Sequence, residues 1–377
     1  MGRKHVLGAS VAVIAIAVSL WAGLGTANAQ PKAAKLDTVT LQLKWVTQAQ
    51  FAGYYAALAK GYYKAFGLDV KIRVGGPSIT PEQVVASGQA DVGVDWLPSL
   101  LATRDTGTNL VNIAQMFARS GMTELTWKDS GINSVKQMRN KTVGVWCCGN
   151  QPELFAALQK NGINPNSKSD VTIVNQPFDM NLFLQKKVDA AAAMTYNELA
   201  QVLETKNPAT GQLYKLSDLN VFKMASSQVG TGMLEDNIFT TEKYLNDPSH
   251  KQTIVNFLQA SFQGWIYCRD HVSACTDIVL KNGTALGHGH QLWQMNEINK
   301  LIWPNSKGIG VMDPAAFKRT AAIALKYKVI KKAASSKAYD AQLAKAAVQY
   351  LKNHVKGIDV NGKKYRPASV KVVAGGK

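Results

Sequence analysis

Short apolar runs recur along the chain, and segments with helical spacing separate them. A run of four to eight apolar or alternating residues predicts a strand, and apolar residues at every third or fourth position predict a helix. In the first part of the chain the pattern predicts strands at 39–45, 68–74, 90–96 and 110–117, and helices at 51–66, 81–89 and 98–107. This alternation indicates an α/β domain.

A second unit of the same kind begins near Lys141. Its pattern predicts strands at 141–147, 171–176 and 188–195, and helices at 152–161, 180–187 and 197–205. The next apolar run predicts a strand at 230–239, and helices follow at 241–246, 251–269, 273–282, 288–300, 313–327 and 338–353.

Two α/β units predict two lobes with a cleft between them. The chain crosses into the second lobe once and returns once. We therefore assign residues 30–136 and 229–332 to lobe 1, and residues 137–228 to lobe 2. Residues 333–377 form a basic C-terminal extension without a clear pattern beyond its one predicted helix.

The first 29 residues are typical of a secretory signal peptide. Three basic residues, 3–5, precede an apolar run, and the small-residue pattern Ala27-Asn28-Ala29 follows it. We predict cleavage before Gln30 and export to the periplasm. A retained membrane anchor is the alternative, which the glycines within the run disfavour. No cysteine follows the run, so we do not expect a lipid anchor.

The chain has 377 residues and a net charge of +18. The basic residues are scattered or concentrated in the C-terminal extension, and the sequence lacks zinc-ligand spacing and RNA-binding aromatic motifs. We therefore expect no nucleic-acid partner, no metal and no cofactor, and a monomeric protein. His288 and His290 lack an acidic neighbour at ligand spacing, so they are predicted to begin a solvated helix.

Four cysteines are present, in two pairs. Cys268 and Cys275 form a plausible disulfide in an oxidising compartment, but an unbroken helix would hold them about 10 Å apart. The bond therefore requires a helix break, and Asp270 is positioned to cap a new helix there. For Cys147 and Cys148, three interpretations stay open: packing or ligand contact, a vicinal disulfide, and a metal pair.

Four predicted strand-to-helix turns combine aromatic side chains with amides or a carboxylate. Because the carboxyl ends of the strands in open α/β sheets carry the ligand site, we expect these turns to face the cleft. Aromatic faces hold flat rings, and amide and carboxyl groups bond to ring edges. The candidate ligand-binding residues are Trp45, Gln48, Gln50, Trp96, Trp146, Asn150, Tyr196, Asn197 and Glu198.

Segments 44–72, 81–96, 141–150 and 188–198 resemble the substrate-binding proteins of nitrate/sulfonate/taurine-type ABC importers. Within that group, the chain is most similar to the branch related to thiamine-pyrimidine synthases, which includes carriers of thiamine pyrimidine precursors and of riboflavin. The resemblance implies an α/β two-lobe periplasmic-binding-protein fold with a hinge and an interlobe cleft, a small-molecule ligand and an ABC permease as partner. It adds Phe51 and Cys148 to the pocket.

The resemblance leaves several functions to separate. Related synthases carry a lysine for pyridoxal phosphate on the turn that here reads Asp95-Trp96, and they have a cysteine-rich segment that this chain lacks. We therefore predict a binding protein without catalysis. The expected ligand is a pyrimidine precursor or a riboflavin-like molecule, and three tryptophans favour the larger ring. The alternatives are a binder of taurine, alkanesulfonate or nitrate, and a sensor domain of the same fold.

Overall fold

The computed structural model describes residues 35–283 and 285–376, so the predicted signal peptide lies outside the described residues. Within that described part of the chain, no helix has both the length and the apolar character needed to cross a membrane.

The described residues form ten strands and thirteen α-helices. The strands are β1 Asp37–Gln42, β2 Leu68–Arg73, β3 Val92–Trp96, β4 Leu110–Gln115, β5 Met122–Trp127, β6 Thr142–Val145, β7 Thr172–Asn175, β8 Ala190–Met194, β9 Leu219–Lys223 and β10 Asp236–Thr241. The helices are α1 Ala52–Ala59, α2 Tyr62–Ala65, α3 Pro81–Ala86, α4 Leu97–Asp105, α5 Pro152–Lys160, α6 Asn181–Leu184, α7 Glu198–Leu203, α8 Glu242–Leu245, α9 Pro248–Asp270, α10 Val272–Asn282, α11 His288–Ile302, α12 Pro314–Lys326 and α13 Ala341–His354.

The strands form two five-stranded sheets with matching layouts. Their orders are β2-β1-β3-β10-β4 and β7-β6-β8-β5-β9. In the first sheet β1 is parallel to β2 and β3, whereas β10 is antiparallel to its neighbours. In the second sheet β6 is parallel to β7 and β8, and β5 is antiparallel to its neighbours. The α/β class and the two-lobe fold are thus confirmed.

The antiparallel strand of each sheet is the one that enters it from the other sheet. The chain crosses from β4 to β5 through residues 116–121 and returns from β9 to β10 through residues 224–235. Strand β5 was not predicted, and it places the first crossing well before residue 137, so that predicted boundary is wrong. The sequence of β5 did not predict a strand because Glu124 and two threonines interrupt what would otherwise be an apolar run, although all six residues are buried.

Two helical predictions also need correction. The single helix predicted over 51–66 is divided at Gly61, whose φ of 72° no regular helix accommodates. The break after α9 falls at His271, and the capping role expected for Asp270 is wrong because Asp270 pairs with the neighbouring Arg269. Across this break the structure joins Cys268 and Cys275 in a disulfide, with a Cα–Cα distance of 5.1 Å.

The core of the first lobe depends on a close contact between α1 and α9. A side chain on Gly264 would place its Cβ 2.0 Å from the backbone oxygen of Gly53, and one on Gly53 would place its Cβ 2.2 Å from the Trp265 ring, so both positions require glycine. The C-terminal extension also packs into this lobe, because α13 buries Leu343, Ala347 and Leu351 in the core. Its composition is basic, but its apolar positions follow helical spacing.

Candidate functional site

Four strand-to-helix turns, two from each sheet, surround one small cavity of about 30 Å³. The first-lobe turns follow β1 and β3, and the second-lobe turns follow β6 and β8. Parallel neighbouring strands bring their carboxyl ends to the same sheet edge, which is why these turns meet. The lining residues are Lys44, Trp45, Gln48, Gln50, Trp96, Trp146, Asn150, Met194, Tyr196, Asn197 and Glu198.

Nine of the eleven predicted site residues line this cavity, and two do not. Phe51 has no exposed surface and belongs to the first-lobe core, because the one-turn helix Ala49–Phe51 directs it away from the cleft. Cys148 is exposed on the third turn with a φ of 65° and is bonded to Cys147. Their assignment to the pocket is therefore wrong.

A buried ion pair forms one wall of the cavity. The Lys44 ammonium pairs with a carboxylate oxygen of Asp95, and it lies 4.8 Å from the centroid of the Trp96 ring. Asp95 also accepts a hydrogen bond from the Trp96 backbone N–H at 2.6 Å. A third group, Glu82, is buried beside this pair, and its burial together with the Asp95 charge raises the pKa of Glu82 well above its usual range. Lys44 is thus neutralised by a carboxylate and is not free to hold an anion.

A second network fixes the Trp96 indole and the first-turn amides. The indole N–H donates to Asp236 at 3.0 Å, and the Gln50 amide donates to the same carboxyl group at 2.9 Å. Gln48 in turn donates to the Gln50 side-chain oxygen at 2.7 Å. Burial raises the pKa of Asp236 to about 7. Strand pairing of Asp236 with Trp96 places this carboxyl group directly behind the indole.

The third turn is held by local hydrogen bonds and by one contact across the cleft. The Asn150 amide donates to the Cys147 oxygen at 2.7 Å, and the Cys147 N–H donates to Asn175 at 2.9 Å. From the first lobe, the Ser99 hydroxyl donates to the Gly149 oxygen at 3.1 Å. A side chain at Gly149 would place its Cβ 2.5 Å from that hydroxyl, so glycine permits the lobes to approach here.

The fourth turn continues into a chain of polar groups that reaches the first lobe. Glu198 accepts from the Met194 N–H at 2.9 Å and from the Asn197 amide at 2.6 Å. The Asn197 oxygen lies 2.8 Å from Nε2 of His290, a residue of α11. Burial raises the pKa of Glu198 to about 7. Helix α11 begins at His288, which is half exposed, as expected, but His290 is not solvated because it contacts Asn197 and Glu204.

Sequence reasoning missed four residues of the site. Lys44 adjoins Trp45 and Met194 lies two residues before Tyr196, both at strand ends, so the strand pattern was a usable signal for both. Asp236 and His290 have no such signal, because they lie far along the chain from the turns they support.

A model of the NMT1/THI5-like family matches residues 48–273. The chain is 30% identical over 183 residues to riboflavin-binding protein RibY from Chloroflexus aurantiacus, which covers 46% of this chain and 50% of that protein. It is also 30% identical over 81 residues to a formylaminopyrimidine-binding protein from Halalkalibacterium halodurans, covering 22% of this chain and 24% of that one. The chain thus spans about half the length of the first relative and about a quarter of the second.

Among solved structures, the fold is similar to that of the alkanesulfonate-binding protein SsuA from Xanthomonas axonopodis pv. citri, bound to MOPS. The TM-score is 0.58 at 14% identity, and the match covers 82% of this chain and 99% of that one. A likeness at this identity concerns the fold, which other solved neighbours identify as that of periplasmic binding proteins. The family match covers more than half of this chain, so the chain belongs to the NMT1/THI5-like family.

Proposed function

We propose that this protein is the periplasmic solute-binding component of an ABC importer and that it captures a flat aromatic heterocycle when its lobes close. The observation that carries the proposal is the single cavity between aromatic side chains of both sheets: Trp45 and Trp96 from one, Trp146 and Tyr196 from the other. Rings supplied from opposite sides are suited to hold a planar guest between them.

The charge of the cavity supports a heterocycle over a sulfonate or nitrate. Small oxyanions are bound by arginine forks, by free lysine, or by backbone N–H groups. Arginine is absent from the described lining residues, and the one lysine there, Lys44, is paired with Asp95. A neutral ligand with N–H groups is a better match for this set of amides and carboxyl groups.

The hydrogen-bonding groups left for a ligand include acceptors and donors, since an amide nitrogen that donates once keeps a second N–H. Gln48 and Asn150 donate to neighbouring groups through their amide nitrogens, and their side-chain oxygens bond to no residue that the structure describes. The same holds for the Tyr196 hydroxyl. These groups suit an amino-substituted ring.

The two relatives support the same ligand class, since by name one binds riboflavin and the other formylaminopyrimidine. Binding without catalysis fits the pocket, because Asp95 occupies the turn on which the related synthases carry their lysine. Export, with cleavage before Gln30, belongs to this proposal. N-terminal sequencing of protein from a periplasmic extract tests it, and a mature chain that retains residues 1–29 would contradict it.

A thermal-shift screen tests the ligand class, because a ligand stabilises the protein in proportion to the logarithm of its concentration. The screen contains aminopyrimidines, flavins, taurine, alkanesulfonates and nitrate. We expect a shift with an aminopyrimidine. A shift with a sulfonate and with no heterocycle overturns the ligand assignment.

Single substitutions then locate the site. Trp96→Ala and Trp146→Ala should each weaken binding by about 1–3 kcal/mol if these rings stack on the ligand. The matched control is Trp127→Ala, because Trp127 is as buried as Trp146 but stacks on Phe183 at 4.6 Å away from the cavity. The control should lose stability and keep its affinity. Equal losses of affinity in all three variants would show that Trp96 and Trp146 have a purely structural role.

A further inference from the structure

His290 joins the two lobes at the edge of the cavity. It lies on α11, which packs against the one-turn helix Ala49–Phe51 of the first lobe. Its Nδ1 is 2.9 Å from a Glu204 carboxylate oxygen and its Nε2 is 2.8 Å from the Asn197 oxygen, and both partners belong to the second lobe. The side chains of His290 and Glu204 are only 14% and 8% exposed.

The hydrogen bonds that link Glu204, His290, Asn197 and Glu198 fix the number of protons that these four side chains share. Glu204 accepts at one ring nitrogen of His290, and the Asn197 oxygen accepts at the other because the Asn197 nitrogen donates to Glu198 at 2.6 Å. Both ring nitrogens then carry hydrogen, which makes the ring an imidazolium. If the Asn197 amide is rotated so that its nitrogen and oxygen exchange places, the His290 ring can be neutral. The Asn197 oxygen then faces a Glu198 carboxyl oxygen, so Glu198 must carry a proton. Either arrangement holds one proton more than a neutral imidazole with two carboxylates.

We infer that His290 is a positioning residue for the closed state, and that the proton it shares with Glu204, Asn197 and Glu198 makes ligand retention depend on pH. This inference rests on the proposed function. When the lobes separate, His290 loses both partners, and above the ordinary imidazole pKa of about 6.5 the extra proton is then no longer held. Closure therefore binds a proton, and closure weakens when that proton is lost.

The titratable groups around His290 are consistent with one extra proton shared among His290, Glu204, Asn197 and Glu198. Helix α7 and the residue that follows it supply Glu198 and Glu204. Helix α10 supplies Asp277, which lies 3.8 Å from His288 instead, and the one-turn helix Ala49–Phe51 contributes the amide of Gln50. Among described residues, the one-turn helix Ala374–Gly376 contributes backbone only.

The C-terminal segment covers the bridge. The Gly375 N–H donates to the Glu204 backbone oxygen at 2.9 Å. Gly376 is buried, and a side chain there would place its Cβ 2.7 Å from the Cβ of His290 and 2.8 Å from the Glu204 carboxylate. The close backbone limits water around the bridge, and a drier environment strengthens a charged hydrogen bond. The C-terminal extension, for which the sequence predicted no function, thus shields the contact between His290 and Glu204.

The sign and window of the pH effect follow. The closed state holds the extra proton, so affinity is full at low pH and falls as pH rises. Burial raises the pKa of Glu198 to about 7, so we expect the fall around that pH. One linked proton lowers the affinity by at most about tenfold per pH unit.

The test measures the dissociation constant of an aminopyrimidine, 4-amino-5-hydroxymethyl-2-methylpyrimidine, between pH 5.5 and 8.5. We expect wild-type affinity to fall about tenfold over the range. His290→Gln and Glu204→Gln should bind about tenfold more weakly at pH 5.5 and show a flat profile. The matched control is His288→Gln, two residues earlier and half exposed, which should keep the wild-type profile. A wild-type profile in both bridge variants, or a flat one in the control, overturns the inference.

A readout without ligand separates this inference from the proposed function. Small-angle X-ray scattering at pH 5.5 and 8.5 measures lobe opening directly, and circular dichroism verifies that each variant is folded. We expect wild type to open at high pH, and His290→Gln and Glu204→Gln to be open at both. If no heterocycle binds but this pattern appears, the ligand assignment fails and the bridge stands. Identical scattering of wild type and both variants at the two pH values refutes the bridge.

Discussion

The carboxyl pair beneath Trp96 leads to a prediction about two substitutions of unequal cost. Lys44, Asp95 and Glu82 are 5%, 2% and 1% exposed, so water does little to screen their charges. Lys44 is charge-paired with Asp95, and Glu82 is held neutral by burial and by the Asp95 charge. One site therefore contains one cation, one anion and one neutral acid.

Asp95→Asn removes the anion that faces Lys44. Breaking a buried pair by removing one partner costs about 3–5 kcal/mol. Glu82 can ionise in the variant and restore part of the balance, so we expect a loss of about 2–4 kcal/mol. Glu82→Gln should cost less than about 1 kcal/mol, because an amide is neutral like the protonated acid that it replaces and has nearly the same shape. The double variant should lose more than the sum of the single losses, since no carboxyl group then remains.

Urea denaturation followed by circular dichroism measures the free energy of unfolding by linear extrapolation. The control is Asp69→Asn, which breaks the exposed pair between Lys71 and Asp69 and should change stability by at most about 1 kcal/mol. The reasoning is refuted if Glu82→Gln costs as much as Asp95→Asn, or if the double variant is no worse than the sum.

Three further predictions concern stability. Burial raises the pKa of Glu153 to about 8, so the stability that its neutral form adds is complete below about pH 4 and declines by up to about 1.4 kcal/mol per pH unit as pH rises to 8. Glu153→Gln should flatten this decline in the free energy of unfolding measured by denaturation, and an unchanged slope would contradict the prediction. Gly264→Ala should destabilise the protein by about 3 kcal/mol or prevent folding, because its Cβ meets the Gly53 oxygen, and a wild-type melting temperature would disprove this contact. Replacing Cys268 and Cys275 together by alanine should cost about 2–3 kcal/mol in denaturation under oxidising conditions and nothing after reduction of both proteins, a difference that a purely packing role would not produce.

The sequence by itself determined the α/β class and most of the residues that line the cavity. Each of the eight predicted strands overlaps a strand of the structure, because short apolar runs bounded by glycine, proline or polar residues have few other solutions. Parallel pairing brings the ends of such strands together, so Trp45, Trp96, Trp146 and Tyr196 were placed at one edge from local pattern alone.

Tertiary structure decided what local pattern does not contain. Strand β5 carries a buried glutamate, so only its pairing with β8 and β9 identifies it as a strand. Phe51 differs from its neighbours in the first turn only in the direction that the backbone gives its side chain. Asp236 and His290 join the site through contacts made on folding, which no spacing in the sequence records. Burial in that folded state, and not residue type, sets which carboxyl groups stay neutral and which side chains a ligand can reach.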